Sequence, residues 1–71
     1  MYAPGTSITT TIKVSVRATP GGTKLGQQEL GASGTIKGAL PVYKVFGAAS
    51  WWWEIDYTTG PDGWSAANYI R

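Results

Sequence analysis

The stretch Trp51-Trp52-Trp53-Glu54-Ile55-Asp56-Tyr57 constrains the fold of this chain more than any other. All four tryptophans lie between positions 51 and 71. Aromatic and β-branched residues at a period of two suit a half-buried strand. In such a strand Trp51, Trp53, Ile55 and Tyr57 point one way, and Trp52, Glu54 and Asp56 point the other. Two acids on one face and Ile55 on the opposite face assign the core to the Ile55 side. Trp52 then stands on the polar side, where a large apolar ring needs an explanation.

A chain of 71 residues is one domain. At this length only about 60% of the unfolded surface is buried on folding. A margin of about 0.05–0.15 kcal/mol per residue puts its stability at roughly 4–10 kcal/mol. There is no cysteine, so neither a disulfide nor a thiolate metal site supports the fold, and the redox compartment stays open. The core must come from aromatic rings. Ten glycines and four prolines among 42% hydrophobic residues describe a turn-rich all-β domain. The net charge of +2 comes from dispersed lysines and arginines with no basic run, which argues against a nucleic-acid tail or a polybasic membrane anchor. No apolar run reaches transmembrane length. The first residues, Met1-Tyr2-Ala3-Pro4, lack the charged and apolar regions of a signal peptide.

Residues 1–7 read as a lead-in and 8–71 as the domain. Ile8 to Arg17 alternates most cleanly, with Thr10, Ile12, Val14 and Val16 on one face. Arg17 at its end either pairs with a carboxylate or packs its stem, or else contacts an anion. Pro20-Gly21-Gly22 breaks the strand. Lys24 to Leu30 reads as a short return arm whose Leu25 and Leu30 touch the core. Gly22 and Gly31 are the candidates for positive φ. Thr35 to Lys37 and Val42 to Phe46 read as strands, interrupted by Gly38 to Pro41, with Pro41 marking an edge or bulge. Gly47 to Ser50 turns the chain into the tryptophan strand. Thr59 to Gly63 is the next tight turn. Gly63 to Ala66 is a short strand, Ala67-Asn68-Tyr69 a 3₁₀ turn, and Tyr69 to Arg71 pairs back on the first strand.

Two sets of residues carry a family resemblance. Trp52-Trp53, Thr59-Gly60, Gly63 and Asn68-Tyr69-Ile70 resemble the eukaryotic Src-homology-3 domain in order and spacing. Val16-Arg17 with Pro20-Gly21, and Gly63-Trp64-Ser65, look more like the bacterial Src-homology-3 module. Together they cover residues 14–71. The resemblance implies a small five-stranded, partly open antiparallel barrel of the SH3 type. It further implies that Trp52 and Tyr69 are ridges of a groove for a polyproline II peptide, a preformed helix that loses little entropy on docking. Ala66 stands where the family has its groove proline. The Ala-Leu-Tyr-Asp-Tyr segment has no counterpart, and the first loop holds only one acid, Glu29. The bacterial relatives imply an accessory domain of a secreted or cell-surface protein that binds cell-wall peptide or glycan.

The inventory of reactive groups is short. The chain has no histidine, no cysteine and four carboxylates. Glu54 and Asp56 are neighbours on a strand face that reads as solvated, whereas a catalytic pair needs one desolvated member. The sequence therefore predicts no enzyme, no cofactor and no zinc site. Two carboxylates also fall well short of the roughly six to eight oxygens of a calcium site. A charged outer face that keeps the domain soluble accounts for them. Trp53 reads as core, Trp64 as packing over a barrel end, Trp51 as a lid over the barrel mouth, and Tyr43 and Tyr57 as strand packing. The expected function is non-catalytic binding of a peptide or cell-wall component. The expected site is Trp52, Tyr69, Ala66 and Trp64, with Glu54 and Asp56 attracting a cationic ligand group. The alternative is a barrel domain with no small ligand, either purely structural or self-associating through its exposed aromatics. Nucleic acid ranks third, because the acids share a face with the exposed ring and repel phosphate.

Overall fold

The computed structural model describes residues 2–38 and 40–71. Met1 of the lead-in and Ala39 of the 38–41 interruption lie outside the described residues. The fold is all-β and antiparallel, with seven strands. These are β1 (Ser7–Thr9), β2 (Val14–Arg17), β3 (Lys24–Gln28), β4 (Ser33–Ile36), β5 (Val42–Phe46), β6 (Ala49–Tyr57) and β7 (Gly63–Ala66). A 3₁₀ turn, Ala67–Tyr69, follows. The sheet runs β1-β4-β6-β7-β2-β3, with β5 also paired to β6.

The tryptophan strand β6 is the hub. Its C-terminal half pairs with β4, matching Ile36 to Ile55 and Gly34 to Tyr57. Its N-terminal half pairs with β5, matching Tyr43 to Trp51 and Val42 to Trp52. Along its other edge β7 matches Trp52 to Ala66 and Ile55 to Gly63. One long strand therefore carries two successive partners, β5 and β4, on the same edge. That is why the sheet has more strands than the five expected.

The second reason is a break in the first alternating run. Ile8 to Arg17 is two strands with different neighbours. β1 pairs with β4, and β2 pairs with β3 and touches β7 at Arg17–Trp64. Between them the chain bends, leaving Ile12 exposed while Thr10, Val14 and Val16 remain buried. Thr10 explains the bend. Its buried hydroxyl donates to the Glu29 carbonyl (2.7 Å) and accepts from the Ala32 amide (2.9 Å), which ties this corner to the turn before β4. The C-terminus pairs back as expected. Thr9 and Arg71 exchange backbone bonds, and Thr10 bridges Ile70.

The main core joins Ile8, Val16, Ile36, Trp53, Ile55, Tyr57 and Ile70. It lies on the Ile55 side of β6, as the period predicts. Tyr2 covers Trp53 edge-on at 5.2 Å. The Tyr57 hydroxyl and Ser65 Oγ share a buried bond of 2.6 Å. Burial raises the Tyr57 pKa above 10.0, and the Ser65 bond lowers it by less. Two expectations fail here. Leu25 and Leu30 are exposed, Leu30 at 70%: Leu25 lies on β3, an outermost strand of the sheet of whose side chains only Gln28 is buried, and Leu30 lies in the turn beyond it. Gln28 is held by the turn after β6, donating to the carbonyls of Thr59 (2.6 Å) and Pro61 (3.3 Å). In the β2–β3 turn positive φ falls on Gly21 (66°) rather than Gly22, while Gly31 has the expected positive φ of 84°.

Candidate groove over Trp52

Trp52 is 3% exposed, which corrects the expectation of an exposed ring. It belongs to a second apolar cluster on the opposite side of β6 from the main core, with Ala49 and Ala66 buried and Trp64 and Tyr69 packed against them. Three features bury it. Ala66, its cross-strand partner, is small enough to leave room for an indole. Phe46 of β5 lies edge-on at 6.3 Å. The β5–β6 register slips between Tyr43 and Phe46, and the Lys44 carbonyl there accepts a 2.8 Å bond from the Trp52 Nε1–H. A bulge commonly leaves a backbone group unpaired. Here the indole satisfies one, as a buried Trp N–H requires.

The exposed member of the triplet is Trp51, at 47%. The lid expected of it does not form over the core. It stands beside Tyr43, rings 5.0 Å apart at 73°, and both face outward. Trp51 also borders a shallow depression of about 310 Å³ with Pro41, Trp53 and Ala67.

Trp52 and Ala66, both buried, form the base of a cleft of about 340 Å³, and half-buried Tyr69 stands at its edge. One wall is Ile12, Val14 and Ser15. The other is Phe46, Gly47 and Ala49 of the β5–β6 hairpin. Lys13 and Arg17 complete the lining. The structure brings Trp52, Ala66 and Tyr69 together in the lining of one cleft, and gathers Trp64 into the same cluster without placing it in that lining. Glu54 is not in the wall either. Its carboxylate lies 4.0 Å from Lys37 Nζ, and Trp64 is its cross-strand neighbour in the β6–β7 register. Ile12, Lys13, Arg17 and Phe46 also line the cleft. No local pattern marks them, because they reach the cleft only through the bend after β1 and the fold-over of β5.

Arg17 meets no carboxylate among the described residues. Its guanidinium carbon sits 4.5 Å from the centre of the Phe46 ring, and Nη1 donates to the Gly22 carbonyl at 2.9 Å. Among the described residues no group of three or more metal-ligating side chains exists, and no helix is long and apolar enough to cross a membrane. No protein-family model matches the chain, and no curated protein or solved structure matches it.

Proposed function

We propose that this chain is a non-catalytic binding module that takes an extended peptide segment in the cleft over Trp52. The observation that carries the reading is the construction of that cleft. Its base is an aromatic ring held by packing and by the Nε1–Lys44 bond, and the exposed apolar side chains of Ile12 and Phe46 flank it on either wall. A ring already fixed before binding loses little freedom when a ligand arrives. Aromatic anchors in such clefts concentrate binding energy.

The Src-homology-3 reading of the fold belongs here as well. It is supported by the run β4-β6-β7, by the 3₁₀ turn that presents Tyr69, and by the β2–β3 hairpin in place of the long first loop. On that reading β5 is an insertion that covers Trp52. Trp52 then serves as floor rather than ridge, with Phe46 and Tyr69 at the rim. A cell-wall peptide is one ligand of this shape.

The test is an amide-shift titration of the labelled domain with proline-rich peptides and with muropeptides. Shifts should concentrate at Ile12, Phe46, Trp52 and Tyr69. Ile12→Ser and Phe46→Ala should weaken binding about tenfold or more, while Leu30→Ser, in the β3–β4 turn, should not. Unchanged affinity in both cleft variants, or shifts confined to Trp51 and Tyr43, would sink the proposal.

A second reading has its own observation. All five residues of β5 are exposed, four of them are apolar, and among the described residues it pairs with β6 alone. Such an edge invites pairing with another strand. Self-pairing has an internal obstacle, since a symmetric antiparallel pair centred on β5 sets Lys44 against its copy, and like charges opposite each other destabilise a ladder. Sedimentation equilibrium at rising concentration decides it: a monomer throughout rejects self-association.

A further inference from the structure

Read along the strand alone, Glu54 and Asp56 stand beside Trp52 and favour a cationic ligand. The cleft has the opposite sign. Its polar lining includes Lys13, Ser15 and Arg17 and contains no carboxylate, while Glu54 lies outside it near Lys37. We infer that the cleft selects a peptide carrying a carboxylate, which docks on Arg17, with Lys13 adding positive charge further along the same wall. This inference rests on the peptide-binding reading above.

Arg17 is prepared for that role. The Gly22 bond and the Phe46 ring hold the guanidinium in place, half-buried at the rim of an apolar cleft. A guanidinium carries five N–H donors, and the Gly22 carbonyl occupies only one side of it. The remaining donors suit a carboxylate, with which arginine makes paired, charge-assisted bonds. Lys13 is exposed and adds a second positive charge, and Ser15 adds a hydroxyl.

Nucleic acid fits this surface less well. A phosphodiester backbone needs a track of cations along its length. Here the lining holds two cations only, and the Trp52 face of β6 continues into Glu54 and Asp56.

The experiment titrates the intact domain, by tryptophan fluorescence, with one extended proline-rich peptide made in three forms. Two positions carry Glu, Gln or Lys, and each form is prepared with a free or an amidated C-terminus. A poly-deoxythymidine oligonucleotide is a fourth arm. The Glu form should bind about tenfold or more tighter than the Gln form, and the Lys form weakest, as expected when a charge-assisted bond is gained or opposed. Added salt should shrink the difference. Lys13→Gln and Arg17→Gln should each reduce it. Lys13 is solvent-exposed, so Lys13→Gln tests the charge even where Arg17→Gln loosens Phe46. If the free-acid Gln form gains what the Glu form gains, the carboxylate recognised is terminal; if only the Glu form gains, it is a side chain. Equal affinity for the Glu and Gln forms, together with equal affinity for the free-acid and amidated forms, overturns the inference and leaves peptide binding standing. Failure of every peptide to bind, or preference for the oligonucleotide, overturns both.

Discussion

Replacing each tryptophan of the triplet by alanine, one at a time, discriminates the burial pattern of β6 directly. Trp52 and Trp53 are each 3% exposed, on opposite sides of the strand, while Trp51 is 47% exposed. Removing a fully buried Trp costs about 3–5 kcal/mol, and Trp52→Ala also strands the Lys44 carbonyl, for about 1 kcal/mol more. Against a total of roughly 4–10 kcal/mol, Trp52→Ala brings the domain close to unfolding. Trp53→Ala should do the same, because it opens the main core and removes the ring that Tyr2 meets edge-on. Trp51→Ala should cost about 1 kcal/mol or less, since it loses only the surface contact with Tyr43. Trp52→Phe keeps most of the ring and should fall near 1–2 kcal/mol, mainly the lost Nε1 bond. Urea denaturation followed by far-ultraviolet circular dichroism measures all four, and the milder Phe variant reports even where alanine unfolds the domain. A stable Trp52→Ala beside an unstable Trp51→Ala would refute the reasoning, because it would reverse the side on which β5 folds.

Three further outcomes are expected. Ile55→Ala should lose about 2–5 kcal/mol, as Ile55 is fully enclosed at the centre of the main core; an unchanged urea midpoint would contradict that placement. Gly63→Ala should lose about 1–3 kcal/mol or more, because a Cβ there would sit 2.5 Å from the Arg17 carbonyl and press on the short β2–β7 contact; a neutral result would show that β2 and β7 are not so close. Tyr57 should make stability fall in alkali: its folded pKa lies above the ordinary 10.0, so the stabilisation is complete below about pH 10 and is lost as pH rises through the folded value. Urea midpoints measured on either side of that range should drop in the parent chain and drop less in Tyr57→Phe. An equal drop in both would remove Tyr57 as the cause.

The alternation of Trp53, Ile55 and Tyr57 was sufficient by itself to place the main core, because strand geometry sends every second side chain to one face. The 3₁₀ turn at Ala67–Tyr69, the strand Gly63–Ala66 and the return of the C-terminus to the first strand were equally local matters of turn chemistry and spacing. The same period failed for Trp52. Alternation says which residues share a face, but not whether a second layer covers it. That depended on a slipped register in β5 and on a small residue, Ala66, across the strand. Leu25 and Leu30 failed for the converse reason: an apolar side chain on an outermost strand, or in the turn beyond it, has nothing to pack against. The charge of the cleft was decided at still longer range. Glu54 is Trp52's neighbour along the chain, but Lys13 and Arg17 arrive beside it from β2 and the bend before it, through the sheet order that sets β7 between β2 and β6. Sequence spacing carries no information about which strand ends meet, and the electrostatics of a cleft is a property of that meeting.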